Sequence, residues 1–248
     1  MNTIQAIYGT PHASGSLSDQ EVAQAYPWPE SGRWVRAMMV TTLDGAAAGS
    51  DGLSGSVSSE ADQRVFTAVR SYADAVLVGS GTLRAEKYTP MRADPDSAQR
   101  RDADGQQAAP VVAVVSGSLK LPWELPIWTE STHQPLVITQ AGADEGRLAE
   151  AQKHADVIIL PEVSPQSIVD ALVGRGLRRI VCEGGPQLLR NLVEADMVDE
   201  ADITLAPLFA GTGTSPSTTV LPDVAHFRLV QVLQGDWTLM MRYLAQGR

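Results

Sequence analysis

The 248-residue sequence predicts an α/β protein: a mostly parallel central sheet between two helical layers, closed by a C-terminal antiparallel hairpin. Three observations predict it. Short apolar runs at 75–78, 111–115, 136–139 and 157–160 have the character of strands buried on both faces of a parallel sheet. Segments with helical spacing recur between or after these runs, as crossover connections require. Near the C-terminus, strand-like segments 227–234 and 238–244 flank Gly235-Asp236, which marks a hairpin.

Taken in order, residues 1–33 are polar, contain Pro11, Pro27 and Pro29, and predict one helix at 18–26, with Ser18 as cap and Glu21 three residues later. This segment is expected to be an arm packed on a single domain spanning 34–248, because no linker or internal repeat interrupts the later pattern. A strand at 34–40 ends in the turn-forming run Thr42-Leu43-Asp44-Gly45. A Gly/Ser-rich loop at 49–56 then leads to a helix at 59–72, capped by Ser58 or Ser59, with Ala61, Val65, Ala68 and Val69 at helical spacing. The strand 75–78 runs into Gly79-Ser80-Gly81-Thr82, which opens a short helix. Residues 94–109 are rich in Asp, Arg, Gln and Ala without periodicity, and predict an exposed loop or a disordered insertion. Helices are expected at 145–153, 167–175 and 187–195, with strands at 178–183 and 200–206.

The formal charge of −10 and pI near 4.8 argue against sequence-blind nucleic-acid binding, which is driven by clustered Lys and Arg. Cys182 is the sole cysteine and cannot form an internal disulfide, and no run approaches the length of a membrane span, so the cytoplasm is the expected compartment. His12, His133, His154 and His226 are scattered without ligand spacing, and no metal site is read from them.

Chemistry concentrates at two strand-to-helix junctions, Gly79-Ser80-Gly81-Thr82 and Gly184-Gly185-Pro186. Each places free backbone N–H groups at a helix start with no Cβ in the way, an arrangement that binds anions. The first begins a G-x-G-x-x-G pattern, but Arg84 replaces the third glycine, so the Rossmann fingerprint fails, and a Walker loop is absent.

With these motifs in order, residues 34–244 resemble the C-terminal reductase domain of bifunctional riboflavin-biosynthesis proteins, in the dihydrofolate reductase superfamily. The resemblance is carried by Thr42-Leu43-Asp44-Gly45, Arg70 with the run from Asp74 to Thr82, Glu183-Gly184-Gly185-Pro186, Val198-Asp199-Glu200 and Ala206-Pro207-Leu208. It implies a dihydrofolate-reductase-like fold and NADPH as cofactor. Thr82 and the backbone around it, with Gly79 and Gly81, would then hold the cofactor's pyrophosphate, Gly185, Pro186, Gln187, Leu188 and Leu189 would cradle its phosphates, Glu86 and Gly184 would also bind the cofactor, Ser116 would lie near its 2′-phosphate, and Val40 and Ser56 would line its nicotinamide side. The implied substrate contacts are Ser54, Arg70, Arg92 and Glu183, with the two arginines gripping a phosphate and with Asp44 and Glu183 as catalytic carboxylates.

The implied reaction is hydride transfer to the ribose carbon of 5-amino-6-(5-phosphoribosylamino)uracil, giving the ribityl product, by a homodimer. The chain departs from the resemblance in carrying Met38 where a lysine is usual and Glu86-Lys87 where an acidic pair is usual. The deaminase half of the bifunctional proteins has no counterpart here. Two alternatives stay open: reduction of dihydrofolate or another pteridine with NADPH, and NADPH binding without catalysis.

Overall fold

The computed structural model describes residues 3–9, 15–211 and 221–247; Pro11 and His12 lie outside them. Among the described residues ten strands build one sheet: β1 (Gln5–Tyr8), β2 (Trp34–Thr42), β3 (Ala75–Gly79), β4 (Val111–Val115), β5 (Leu136–Gln140), β6 (Asp156–Leu160), β7 (Arg179–Cys182), β8 (Glu200–Ala206), β9 (Phe227–Gly235) and β10 (Thr238–Ala245). Their order is β1-β9-β10-β8-β2-β7-β3-β4-β5-β6. Pairing is parallel from β8 through β6 and antiparallel across β8, β10, β9 and β1.

Helices α1 (Asp19–Ala25), α2 (Glu60–Arg70), α3 (Ser80–Glu86), α4 (Pro95–Ala103), α5 (Ile127–Glu130), α6 (Glu145–His154), α7 (Pro165–Val173) and α8 (Pro186–Glu194) connect or flank the strands. Alternation along each strand sorts the core. On β3, Ala75 and Leu77 pack with Ile168, Leu172 and Leu192 of α7 and α8, while Val76 and Val78 face Leu83, Ile127 and Ala151 on the opposite side. A further cluster on the side of α1 and α2 joins Val22, Val65 and Val69 to Met38, Val181 and Met240. The central strands are therefore apolar on both faces, as their uninterrupted apolar sequence implied.

Polar residues lock the strand starts. Buried Asp74 accepts the backbone N–H groups of Arg178 and Arg179, both at 2.8 Å, and the Gln106 amide at 2.6 Å, tying the entries to β3 and β7. Ser18 caps α1, and Glu21 returns a bond to the Ser18 backbone in a reciprocal capping box.

Three local expectations change. Residues 94–109 are a loop only over 104–109, since Asp94 caps α4, Pro95 occupies its first turn, and Arg101 turns inward. Its guanidinium donates through Nε and Nη1 to the carbonyls of Gln107, Ser71 and Ala73 at 2.7, 2.9 and 2.8 Å, so a charge that composition placed in solvent is buried and held by backbone acceptors. The N-terminal segment also adds β1, an edge strand paired with β9.

Third, the hairpin turns on Asp236-Trp237, both at positive φ, one residue later than expected. Gly235 instead pairs with Thr238, and a Cβ there would stand 2.7 Å from the Ala61 methyl. Asp236 accepts the Ala61 N–H at 2.9 Å, joining the turn to the start of α2.

Candidate functional site

The two glycine junctions meet at the carboxyl ends of β3 and β7. Gly79 N–H donates to the Gly184 carbonyl at 3.0 Å, and a Cβ on Gly79 would stand 3.6 Å from Gly185 Cα. Gly184 and Gly185 both have positive φ, and a Cβ on Gly185 would lie 3.5 Å from Thr82 Oγ1. Glycine is therefore required here for backbone conformation, and it leaves room above the junction.

The helix caps point the same way. A side chain hydrogen-bonds the first turn of α1, α2, α4, α6 and α7, from Ser18, Ser59, Asp94, Asp144 and Ser164 respectively. The nine-residue α8 and the shorter α3 start from Gly185 and Gly79 with no side-chain cap, so their leading N–H groups are open to a ligand.

These junctions line a cavity of about 1150 Å³ that crosses the sheet's carboxyl edge. Of the expected site residues, Val40, Ser54, Arg70, Gly79, Gly81, Thr82, Glu86, Glu183, Gly184, Gly185, Pro186, Gln187 and Leu188 line it. Ser54 and Glu86 touch, the Glu86 carboxylate accepting the Ser54 N–H at 2.9 Å, which pins a 3₁₀ turn (Ser54–Ser56) against α3.

Arg70 and Glu183 form a bidentate ion pair at one end, with the Glu183 side chain only 1% exposed. The Arg70 guanidinium also sits 4.3 Å from the Phe66 ring centroid and 5.6 Å from that of Tyr88. Burial acts to lower the Arg70 pKa, but the Glu183 carboxylate outweighs it and holds the charge above its ordinary value. Burial, with Glu183 alongside, pushes the Tyr88 phenol well up. Cys182 behind this pair is fully buried in the core, its thiol pushed up to about 12 by burial.

Other expected residues stand apart from the cavity lining. Asp44 closes a turn: it accepts from the Thr42 hydroxyl and from the N–H groups of Ala210 (3.2 Å) and Gly211 (2.7 Å). The Thr42 bond first, then these backbone donors, lower its pKa. Arg92 is 63% exposed and pairs with Glu130, so the two-arginine phosphate clamp is not assembled. Ser116 is buried and accepts the Leu119 N–H, Ser56 bonds within its own loop to Asp51 and Leu53, and Leu189 packs against the core.

The cavity also holds residues that the sequence did not single out. Lys87 lines it as an exposed cation, one residue from the buried Tyr88. Asp62 of α2 and Asp202 of β8 line it as buried carboxyls. Burial raises the pKa of both, and the neighbouring Glu200 adds to the rise at Asp202. Glu200 itself is drawn down: burial acts upward, and Arg36 with Arg242 more than compensates.

Such a fold, with a nucleotide-sized cavity at the carboxyl edge of a mostly parallel sheet and uncapped glycine junctions on its floor, is that of a reductase of the dihydrofolate-reductase type. The sequence model of the RibD C-terminal domain matches residues 33–239, and the chain belongs to that family. It is similar to the 2,5-diamino-6-ribosylamino-4(3H)-pyrimidinone 5′-phosphate reductase of Archaeoglobus fulgidus, at 28% identity over 186 residues, 74% of this chain and 84% of the relative.

Among solved structures, a pyrimidine reductase-like protein from Corynebacterium diphtheriae superposes with a TM-score of 0.81 at 26% identity, covering 93% of this chain and 99% of that one. The riboflavin biosynthesis protein RibD of Synechocystis sp. is 25% identical over 193 residues, 77% of this chain; the chain spans 49% of that relative. Among the described residues, no helix is long and apolar enough to cross a membrane, and no group of three His, Cys, Asp or Glu could hold a metal ion.

Proposed function

We infer that this protein is an NADPH-dependent reductase of a ribosylaminopyrimidine 5′-phosphate, converting the ribose to a ribityl chain. The observation that carries the reading is the abutting pair of glycine junctions opening on a cavity that also contains the Arg70–Glu183 pair. The space above Gly79 and Gly185, which a Cβ at either position would narrow, fits a pyrophosphate, and the open N–H groups at the start of α8 supply its donors.

NADPH, when bound, supplies the hydride. Gly79–Thr82 and Gly184–Leu188 would hold its phosphates. Val40 would wall the nicotinamide side of the cavity. Lys87 and the accessible part of Arg70 would place positive charge by the substrate phosphate, with Glu183 and Phe66 fixing the guanidinium in place. Asp44 would act through the turn it closes, holding the end of β2 against residues 208–211.

A cytoplasmic homodimer is part of the same reading. Exposed Ile7 and Tyr8 on edge strand β1, with Phe209 and Trp237, give the protein apolar surface for a second copy, and a sedimentation mass of 26.4 kDa at micromolar concentration would contradict it. The enzymatic reading is tested by steady-state oxidation of NADPH with the pyrimidine ribotide. Saturable turnover is expected; tight NADPH binding without turnover would make the protein a binder instead.

A further inference from the structure

A loop forms one wall of the cavity: Ala47, Ala48, Gly52, Ser54 and Gly55, all between β2 and α2, line it. This loop is bonded largely to itself. Asp51 accepts the Leu53 N–H and the Ser56 hydroxyl, both at 3.0 Å, and Ser56 Oγ accepts the Gly49 N–H at 3.1 Å. A Cβ on Gly49 would stand 2.2 Å from Ser56 Oγ, so the closure requires glycine there. Backbone bonds from Gly49 to Leu53, from Gly52 to Gly49 and from Val57 to Ser54 close the remaining turns. A loop closed on itself in this way behaves as a compact unit. Val57, 4% exposed, anchors it in the core just before α2. Among the described residues, one hydrogen bond ties residues 49–57 to another wall, the one from Ser54 N–H to Glu86 at 2.9 Å.

Glu86 is the last residue of α3, whose first residues belong to the junction Gly79–Thr82. Thr82 and Glu86 are four residues apart, one above the other on the same helix face, and both line the cavity. Leu83, fully buried, pins the helix to the core between them. Among the described residues no cation pairs with Glu86, so its carboxylate is committed to the loop. Lys87, next along, closes α3 in the left-handed conformation at φ 48°. Two residues that the family resemblance divides between cofactor and substrate, Glu86 and Ser54, are thus bonded to each other.

Building on the reductase reading above, we propose that Glu86 is a positioning residue that couples the two ligands, its bond to Ser54 carrying the ordering of α3 by NADPH across to the loop that walls the substrate. The loop latched to Glu86 and the loop released from it are the two states. Each ligand favours the latched one through its own contacts, NADPH along Thr82 and the ribotide against Ser54 and Gly55. Linkage makes the effect reciprocal: whichever ligand binds first strengthens the other by the same factor. Glu86 acts through Ser54 and touches no reacting atom.

The test measures the Kd of 2,5-diamino-6-ribosylamino-4(3H)-pyrimidinone 5′-phosphate by calorimetry, alone and at saturating NADP+. The oxidised cofactor has no hydride to transfer, so binding is read without turnover. In the wild type, NADP+ should lower that Kd about tenfold. Glu86→Ala should bring the ratio to about one, while Glu86→Gln, which keeps a carbonyl acceptor for the Ser54 N–H, should retain part of it. Ser54→Pro removes the donor from the other end of the bond and should match Glu86→Ala. Proline fits this first position of the 3₁₀ turn, because the preceding Leu53 is already extended. In turnover at saturating NADPH, Glu86→Ala should raise KM for the ribotide about tenfold and leave kcat within about threefold.

A wild-type ratio near one with both ligands bound would overturn the coupling and leave the reductase reading intact. A ratio unmoved in both Glu86→Ala and Ser54→Pro would overturn the role of Glu86. Weaker binding of each ligand alone, with the ratio preserved, would make the bond structural and overturn it as well. Failure of the wild type to bind either ligand would overturn the reductase reading and the proposal with it. The wild-type comparison needs no variant to fold.

Discussion

Replacing Arg70 by Met separates a buried structural pair from a surface contact. Glu183 is 1% exposed on its side chain and receives two guanidinium donors from Arg70, which is itself 24% exposed. Removing the cation leaves a carboxylate in the core with no charge to offset its desolvation, a loss of roughly 3–5 kcal/mol for buried pairs. The partial exposure of Arg70 places this case near the lower end, about 3 kcal/mol, and the lost stacking on Phe66 adds about 0.5 kcal/mol or more. Converting Glu183 to Gln in the same chain removes the orphaned charge and should restore about 2 kcal/mol, so the two substitutions are strongly non-additive. Urea unfolding of Arg70→Met, Glu183→Gln and the double variant, with the slope of each transition fitted separately, gives the cycle. A loss below about 1 kcal/mol in Arg70→Met, the range of exposed ion pairs, would refute the assignment of this pair as a buried anchor of the cavity.

Three further outcomes follow from the geometry. Gly185→Ala should cost about 1–2 kcal/mol, because the position has φ +68°, and its Cβ, in ordinary contact with Thr82 and Gly79, would occupy space above the junction; NADPH affinity by fluorescence titration should fall at least about tenfold, and an unchanged Kd would place the dinucleotide elsewhere. Arg92→Ala should leave KM for a phosphorylated substrate near the wild-type value, since Arg92 is an exposed partner of Glu130, whereas Lys87→Gln should raise it; the reverse order would restore the two-arginine clamp. Asp44 has its pKa lowered in the folded state from an ordinary 3.8, so its stabilising effect is present above that value and lost as the pH falls through the folded value. Urea midpoints followed downward from neutral pH should therefore drop less steeply in Asp44→Asn than in the wild type, and parallel curves would refute the role of Asp44 as a turn lock.

Much of this fold is legible in the sequence because the central strands are short apolar runs of four or five residues between helices with recognisable caps. Buried parallel strands have no solvent face to dilute that signal. The glycine junctions are equally legible, since only glycine tolerates the conformation at Gly184 and Gly185.

What escaped reading depends on contacts far along the chain. Strand β1 is four residues long with only Ala6 buried, too brief an alternation to stand out. Helix α4 is built from polar residues, and its local signal was Asp94-Pro95, an N-cap followed by proline; the burial of Arg101 depends on carbonyls that a distant turn supplies. Asp62 resembles an ordinary acidic residue in a capped first turn until the sheet brings Thr204, 142 positions later, against it. Asp44 and Arg92 show the complementary case: their motif neighbours are informative, while the partners the fold gives them, Gly211 and Glu130, cannot be read from the sequence.

The most direct measurement is the fate of a label. NADPH carrying two deuterium atoms at the nicotinamide C4 should transfer one of them to C1′ of the ribotide, giving a ribitylamino product one mass unit heavier than that from unlabelled NADPH, with the deuterium assigned to C1′ by NMR. Oxidation of the cofactor with no deuterium at C1′, or binding of labelled NADPH with no product at all, would contradict the reductase reading.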